Sequence, residues 1–221
     1  MKSTPKVLIF DVNETLLDLS PLKESINKTL GKEYASDIWF AELLQYSLVE
    51  SVSDSYHNFS QIAQEVLRMN ALKYDLELSE EELQETLKPL SRLKAYPDVI
   101  PGLKNLKDSG FKLIAYSNGK PDVLQKQLEF AEIDHFFDHI VSVENVKKYK
   151  PHLDSYKYIV DASEVNKSDC MMVAAHGWDI TGAGRAGMQT AFVRRPGKFP
   201  FRLAKEPDLL VESIEELAKE L

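Results

Sequence analysis

Residues Val7–Asp18, with the sequence VLIFDVNETLLD, contain the pattern from which the fold of this chain is predicted. It opens with an uninterrupted apolar run, which is typical of a buried strand, and a carboxylate, Asp11, follows at once. Short β-rich runs of the same kind recur along the chain, and each is followed by a turn and a helix-like stretch. They span Phe111 to Tyr116, His139 to Val143, Met171 to Ala175 and Thr190 to Val193. This alternation predicts a parallel sheet with crossover helices.

A long segment without a strand pattern, residues 18–94, interrupts the first strand–helix repeat. Its apolar residues recur at helical spacing on two predicted faces, namely Ile38, Phe40-Ala41, Leu44 and Leu48, and Phe59, Ile62-Ala63, Val66-Leu67 and Met69. The run Ser79-Glu80-Glu81-Glu82 has the pattern of a capping box and predicts the start of a third helix. We therefore expect an α/β core of residues 1–17 and 95–221 and a helical cap of residues 18–94.

Composition and charge exclude several classes of protein. Of the 221 residues, 43% are hydrophobic, which is enough to bury a proper core and argues against disorder. The formal net charge of -8 comes without a basic cluster, so we expect no nucleic-acid partner. The apolar run before Asp11 is too short for a signal sequence or a membrane span, so we expect no membrane partner. A single cysteine, Cys170, excludes an internal disulfide and predicts a reducing, cytoplasmic location.

Polar residues follow four of the predicted strands, at the point where each strand ends. Asp11 and Thr15 follow the first strand, Ser117-Asn118-Gly119 the second, Tyr149-Lys150-Pro151 the third, and His176-Gly177-Trp178-Asp179 the fourth. In an open parallel sheet, ligands bind beyond the carboxyl ends of the strands. We therefore expect a site that combines a carboxylate, a hydroxyl, an ammonium group and a second carboxylate.

This set of residues, in this order, resembles the four signature motifs of the haloacid dehalogenase superfamily over nearly the whole chain. The L-2-haloacid dehalogenase subfamily is more similar still. Its Lys-Pro-x-x-x-x-Tyr pattern appears as Lys150 to Tyr156, its Ser-Asn-Gly as Ser117 to Gly119, and its Trp-Asp-x-Thr-Gly-Ala as Trp178 to Ala183. The resemblance implies a Rossmann-like, doubly wound parallel sheet with an inserted all-helical cap. It also implies a homodimeric enzyme without a cofactor that hydrolyses short 2-haloacids through an ester on Asp11.

The same resemblance assigns roles to individual side chains. Asp11 would be the nucleophile, hydrogen-bonded by Thr15 and kept ionised by Lys150, with Asp179 as a further catalytic carboxylate. Ser117 and the main-chain N–H groups of Val12 and Asn13 would hold the substrate carboxylate, and Asn118 would help to receive the halide. Phe40, Phe59, Tyr156 and Trp178 would complete the pocket. Taken alone, Asp11 would be interpreted as a turn-capping residue and Phe59 as a core residue; their surroundings favour the chemical roles.

Two features separate a dehalogenase from a phosphatase of the same superfamily. Phosphatases carry a second aspartate two residues after the nucleophile, which protonates the leaving alkoxide; here that residue is Asn13. They also bind magnesium through an acidic pair at the fourth motif, where this chain has the lone carboxylate of Asp179, so we expect no metal. A phosphatase of small phosphate esters is the second hypothesis. A catalytically silent protein on the same fold is the third.

Three positions depart from the pattern of well-known members. They have an arginine after the tryptophan of the insertion, where it receives the halide, whereas Trp39 is followed here by Phe40. They have asparagine where this chain has His176, and many have glycine where it has Glu14. Histidine can activate water near neutral pH, so we expect His176, oriented by Glu14, to hydrolyse the ester. The alternative is that His176 bonds a backbone carbonyl and Glu14 is solvated.

Overall fold

The computed structural model describes residues 4–221 and contains a sheet of six parallel strands in the order β3-β2-β1-β4-β5-β6. The strands are β1 Val7–Phe10, β2 Lys112–Ser117, β3 His139–Ser142, β4 Cys170–Ala174, β5 Gln189–Val193 and β6 Leu209–Val211. This confirms the predicted Rossmann-like α/β fold. β6 is not evident from the sequence, because it has only three residues, two of them outside the core, and so shows no buried run.

The strand order places the predicted site at the middle of the sheet. β1 and β4 are neighbours. The chain continues from β1 to β2 on one side of this pair and from β4 to β5 on the other, and this reversal opens a crevice at the carboxyl ends of β1 and β4. Phe10 pairs with Val173, and the N–H of Asp11 donates to the carbonyl of Val173 at 3.0 Å. The pairing therefore holds Asp11 beside the segment that leads to His176.

Four helices lie within the segment of residues 18–94 that follows β1. They are α1 Ser20–Leu30, α2 Ala35–Val52, α3 Phe59–Leu72 and α4 Glu80–Leu87, and a short 3-10 helix, Lys88–Ser91, follows. α4 begins with the predicted capping box at Ser79, and α3 begins with a second one at Asn58. None of the helices within residues 4–221 is long and apolar enough to cross a membrane. The boundaries of the cap at residues 18 and 94 stay a prediction, which limited proteolysis would test.

The predicted apolar face of α2 is wrong. Ile38 and Leu48 are exposed, whereas Trp39 and Leu43 are buried and the indole N–H of Trp39 donates to the carbonyl of Ala63 at 2.9 Å. α2 carries apolar residues on nearly all sides, so its sequence does not distinguish the buried face from the exposed one. The predicted face of α3 is correct at Phe59, Ile62-Ala63 and Val66-Leu67, while Met69 is only half-buried.

The remaining helices cover the core sheet. They are α5 Val99–Asp108, α6 Pro121–Phe130, α7 Leu153–Ser163, α8 Gly177–Ala186 and α9 Ile214–Glu220. Gly182 lets α8 approach Tyr156 of α7 so closely that a Cβ at this position would lie 2.5 Å from its ring. Gly182 thus serves close helix packing, and it brings Tyr156 beneath the start of α8.

Candidate active site

Asp11 lies at the carboxyl end of β1, in the centre of a buried hydrogen-bond network. Its side chain accepts from the hydroxyl of Thr15 at 2.8 Å and from the ammonium of Lys150 at 3.0 Å, and Nδ1 of His176 is also 3.0 Å away. The hydroxyl of Thr15 in turn accepts from the N–H of Ala175 at 3.0 Å. The carboxylate is therefore fixed from the loops that follow three different strands.

Lys150 joins the two buried carboxylates of the site. Its Nζ, fully buried, lies 3.0 Å from Asp11, 2.6 Å from Asp179 and 3.1 Å from the carbonyl oxygen of Tyr116. Burial opposes its charge, but the two carboxylates outweigh burial and raise the pKa of Lys150 above its usual value. The hydroxyl of Tyr156 donates to Asp179 at 2.6 Å. Tyr156 thus orients Asp179, which in turn orients Lys150.

Asp11 is held in its charged, nucleophilic form. Burial alone would protonate it, yet the positive charge of Lys150 and the hydrogen bond from His176 outweigh burial and hold the pKa of Asp11 well below its usual value. By contrast, burial keeps the pKa of Asp179 above its ordinary value despite Lys150. Of the two carboxylates that contact Lys150, Asp11 is therefore the one held more strongly in its ionised form, as a nucleophile requires.

His176 lies between two carboxylates. Its Nδ1 is 3.0 Å from Asp11 and its Nε2 is 3.0 Å from Oε2 of Glu14. A neutral imidazole carries one N–H, so only an imidazolium can donate to both oxygens. Burial opposes that charge, but the hydrogen bonds to Asp11 and Glu14 outweigh burial and raise the pKa of His176. While the carboxylate of Asp11 carries its charge, His176 thus holds a proton on both ring nitrogens.

Aromatic rings surround His176. Its ring stacks with that of Trp178 at a centroid distance of 5.0 Å and with that of Phe40 at 5.9 Å, in both cases with an interplanar angle of 25°. Phe40 comes from α2, in the helical insertion, whereas Trp178 comes from α8 in the core. Both predicted pocket residues therefore contact the imidazole, and the aromatic faces favour its positive charge.

Two lysines that sequence analysis did not single out hold Glu14 from its other side. Lys23 of α1 lies 2.7 Å from Oε1, and Lys198, in the loop after β5, lies 2.5 Å from Oε2. That loop packs against the start of α8, where a Cβ on Gly177 would lie 2.6 Å from the carbonyl oxygen of Phe199. A lone lysine carries no sequence pattern, so these partners could be found only in the structure.

Ser117 and Asn118 are committed to main-chain contacts after β2. The hydroxyl of Ser117 accepts from the N–H of Gly119 at 3.0 Å. The side-chain oxygen of Asn118 accepts from the N–H of Lys150 at 2.9 Å, and its NH₂ lies 3.4 Å from the carbonyl of the same residue. Asn118 therefore positions Lys150, and its contact with the halide stays a prediction.

The main chain after Asp11 offers free donors. Within residues 4–221, the N–H groups of Val12 and Asn13 donate to no protein acceptor. The side chain of Asn13 points away to accept from Gln127 at 3.2 Å. Phe59, a predicted pocket residue, is buried and packs on Tyr149 at a centroid distance of 5.7 Å. The structure thus brings the predicted donors to Asp11, while Phe59 serves the core beneath the site.

A cavity of about 870 Å³ leads to the site from between α2, α8 and the loop after β5. It touches Glu14, Phe40, His176 and Trp178, and Asp11 lies behind His176. The volume is typical of a small-molecule site. Within residues 4–221, no group of three histidine, cysteine or acidic side chains could hold a metal ion.

Several known proteins similar to this chain are named as haloacid dehalogenases. A family model described as haloacid dehalogenase-like hydrolase matches residues 8–193. The chain is 29% identical over 202 residues to (S)-2-haloacid dehalogenase 4A of Burkholderia cepacia, covering 90% of this chain and 87% of that protein. It is 30% identical over 192 residues to (S)-2-haloacid dehalogenase of Xanthobacter autotrophicus, covering 86% and 75%. The solved structure of L-2-haloacid dehalogenase from Xanthobacter autotrophicus with chloropropionic acid covalently bound has a TM-score of 0.90 at 25% identity and covers 98% of both chains.

Proposed function

This chain belongs to the haloacid dehalogenase-like hydrolases, and we propose that it is an L-2-haloacid dehalogenase that converts short 2-haloacids to 2-hydroxyacids. The observation that carries the proposal is the buried, ionised carboxylate of Asp11 directly beside His176, with an amide, Asn13, where a phosphatase needs an acid. The curated relatives are (S)-2-haloacid dehalogenases.

In the first chemical step, a carboxylate oxygen of Asp11 attacks C2 of the haloacid. The new C–O bond forms as the carbon–halogen bond breaks, and the halide leaves with the bonding electron pair. The free N–H groups of Val12 and Asn13, with Ser117, are the donors proposed to hold the substrate carboxylate. Phe40, from the helical insertion, closes the pocket on the side of His176 and keeps bulk water from the nucleophile.

In the second step, His176 is proposed to act as the general base. Ester formation removes the negative charge of Asp11, and with it one of the two groups that hold the proton on His176. His176 then releases this proton to solvent, where it balances the charge of the departed halide. His176 then takes a proton from water, which adds to the Asp11 carbonyl carbon; the ester C–O bond breaks and the alcohol oxygen of the product takes the remaining proton. Asp11, His176 and their charges are thereby restored.

Halide release tests the proposal. We expect chloride or bromide from L-2-chloropropionate and from bromoacetate, little from D-2-chloropropionate, and no loss of rate with a chelator. A generic aryl phosphate, assayed beside them with added magnesium, should give no turnover, because Asn13 cannot protonate an alkoxide. Chelator-sensitive phosphate release would establish the phosphatase instead, and inactivity on all substrates would favour the silent protein.

A homodimer is proposed from the same resemblance and from the outer surface of α2. Ile38, Val49 and Val52 are 41%, 47% and 79% exposed on this helix, which is apolar on nearly all sides. Exposed apolar surface of this kind marks protein interfaces. Sedimentation equilibrium should give about twice the 25.1 kDa mass of one chain, and a single-chain mass at micromolar concentration would contradict the proposal.

A cytoplasmic location is proposed from the use of cysteine. Cys170 is unpaired and buried at the start of β4, as is ordinary in a reducing compartment. Fractionation of the source cells tests this location. Recovery of the protein in the periplasmic or secreted fraction would contradict it.

A further inference from the structure

The carboxylate of Glu14 is the centre of a second ion cluster, on the side of His176 that faces away from Asp11. Only 3% of Glu14 is exposed. Its Oε2 lies 3.0 Å from Nε2 of His176 and 2.5 Å from Nζ of Lys198, and its Oε1 lies 2.7 Å from Nζ of Lys23. Two cations and an imidazole thus share one buried carboxylate, and neither lysine has a part in the chemistry described above.

The backbone of Glu14 shows that this placement is specific. Glu14 has φ of +60°, a left-handed conformation that is unfavourable for a residue with a Cβ. A residue keeps such a conformation where its surroundings fix it, and functional sites concentrate such cases. The three contacts of the carboxylate are the interactions that hold the side chain here.

The two lysines come from different parts of the chain. Lys23 belongs to α1 in the helical insertion and Lys198 to the loop after β5 in the core. Lys198 also lies over the ring of Phe40 at 5.4 Å, and Lys23 is 3.9 Å from the exposed carboxylate of Asp37. Glu14 is therefore fixed from both sides of the crevice.

Charge balance determines what His176 can do once Asp11 is esterified. The charged groups around His176 are then Glu14, Lys23 and Lys198, with Lys150 and Asp179 behind the ester and Asp37 at the rim. A buried anionic Glu14 without its cations would keep the proton on His176 and so prevent it from accepting one from water. The two ammonium groups oppose this effect while they keep Glu14 ionised and in place.

Resting on the proposed function, we propose that Lys23 and Lys198 are positioning residues for water activation: they hold Glu14 and make His176 a competent base in the ester intermediate. The charge of Lys198 acts on His176 in the sense that the proposal requires. Against burial, the net pKa of His176 is raised by its hydrogen bonds to Asp11 and Glu14, and the positive charge of Lys198 opposes this rise. Neither lysine is needed for the attack of Asp11 on the substrate.

Rapid-mixing kinetics of Lys23→Met, Lys198→Met and the double variant test the proposal. We expect the burst of the first halide to keep its rate, and steady-state turnover to fall by on the order of tenfold for each single change and more for the double. The Asp11 ester should accumulate in intact-protein mass spectra. Turnover should recover as pH is raised, since His176 then loses its proton. Lys23→Arg and Lys198→Arg should restore most of the rate, and Lys104→Met, at an exposed ion pair, is the matched control.

A second measurement does not depend on enzymatic activity. In Asp11→Asn, which imitates the neutral ester, NMR titration of the His176 ring should show a higher pKa when Lys198→Met is added. An unchanged pKa of His176 in this titration would overturn the proposal. Unchanged steady-state turnover in the double lysine variant would also overturn it, and so would loss of both the halide burst and turnover at every pH. If wild-type protein releases no halide, the proposed function fails, and the titration still decides the role of the lysines. Should Lys198→Met not fold, the same measurements on Lys23→Met test the proposal, because the side chain of Lys23 is 34% exposed and its replacement disturbs the core less.

Discussion

Asp11→Asn is expected to lower dehalogenation by about four to six orders of magnitude, as removal of a covalent nucleophile does. An amide nitrogen or oxygen at this position cannot displace a halide, although the shape of the side chain is kept. The variant should fold, because Lys150 retains Asp179 as a partner at 2.6 Å. Halide release under saturating bromoacetate measures the loss, and Asp108→Asn, at an exposed carboxylate, is the matched control.

Isotope labelling shows whether Asp11 acts as a nucleophile or as a base. A single turnover in oxygen-18 water should place the label in the side chain of Asp11, because water attacks the carbonyl carbon of the ester. The product of that first turnover should be unlabelled. Label in the hydroxyacid at the first turnover would mean that water attacks C2 directly, and the ester mechanism would be wrong.

His176→Asn is expected to separate the two chemical steps. The variant should release up to one halide per active site in a burst, because Asp11 keeps Lys150 and Thr15 as partners and needs no base for its attack. Steady-state turnover should then fall by about two to four orders of magnitude, which is the usual contribution of a general base. Intact-protein mass spectrometry should find the stalled ester, and Glu14→Gln should give a milder form of the same stall.

Two results would contradict this role of His176. Normal turnover in His176→Asn would make the imidazole dispensable, and Lys150 with Asp179 would then activate the water. Loss of the burst together with turnover would make His176 a structural support of Asp11. His152→Asn is a suitable control, because this histidine is partly exposed and its Nδ1 accepts from the N–H of Asp154 at the start of its own helix.

The sequence was sufficient to predict that Asp11 lies at the carboxyl end of a buried strand. A buried run followed by a carboxylate marks the end of β1, and the alternation of strands and helices predicts a parallel sheet whose carboxyl ends share one edge; the structure shows that β2 and β4 are the neighbours of β1. The contacts of Thr15 and Lys150 with Asp11 lie where the motif order predicts them. Both residues follow predicted strands closely, and short apolar runs in the sequence predict where those strands end.

Residues that lie outside the strand ends could not be predicted in this way. Lys198 is 184 positions from Glu14 along the chain, and its position depends on how the loop after β5 packs. Asn118 bonds the main chain of Lys150, a contact between two strand ends that the motifs do not reveal. The exposed face of α2 was misassigned for a related reason: side-chain composition does not reveal which neighbour a helix meets.

The close approach at Gly177 limits how the His176–Glu14 pair could be inherited or transplanted. The loop that carries Lys198 touches the start of α8 at a point where a Cβ would lie 2.6 Å from a carbonyl oxygen, so even alanine would displace this loop. A designer who moves only the histidine and the acid into another scaffold would leave behind the glycine, the loop and the lysine of α1. Recombination between the helical insertion of one homologue and the core of another would separate Lys23 from Glu14 in the same way. Under the proposed mechanism, the hydrolytic half of the reaction depends on a set of contacts between distant segments, and exchange of single residues is not expected to transfer it.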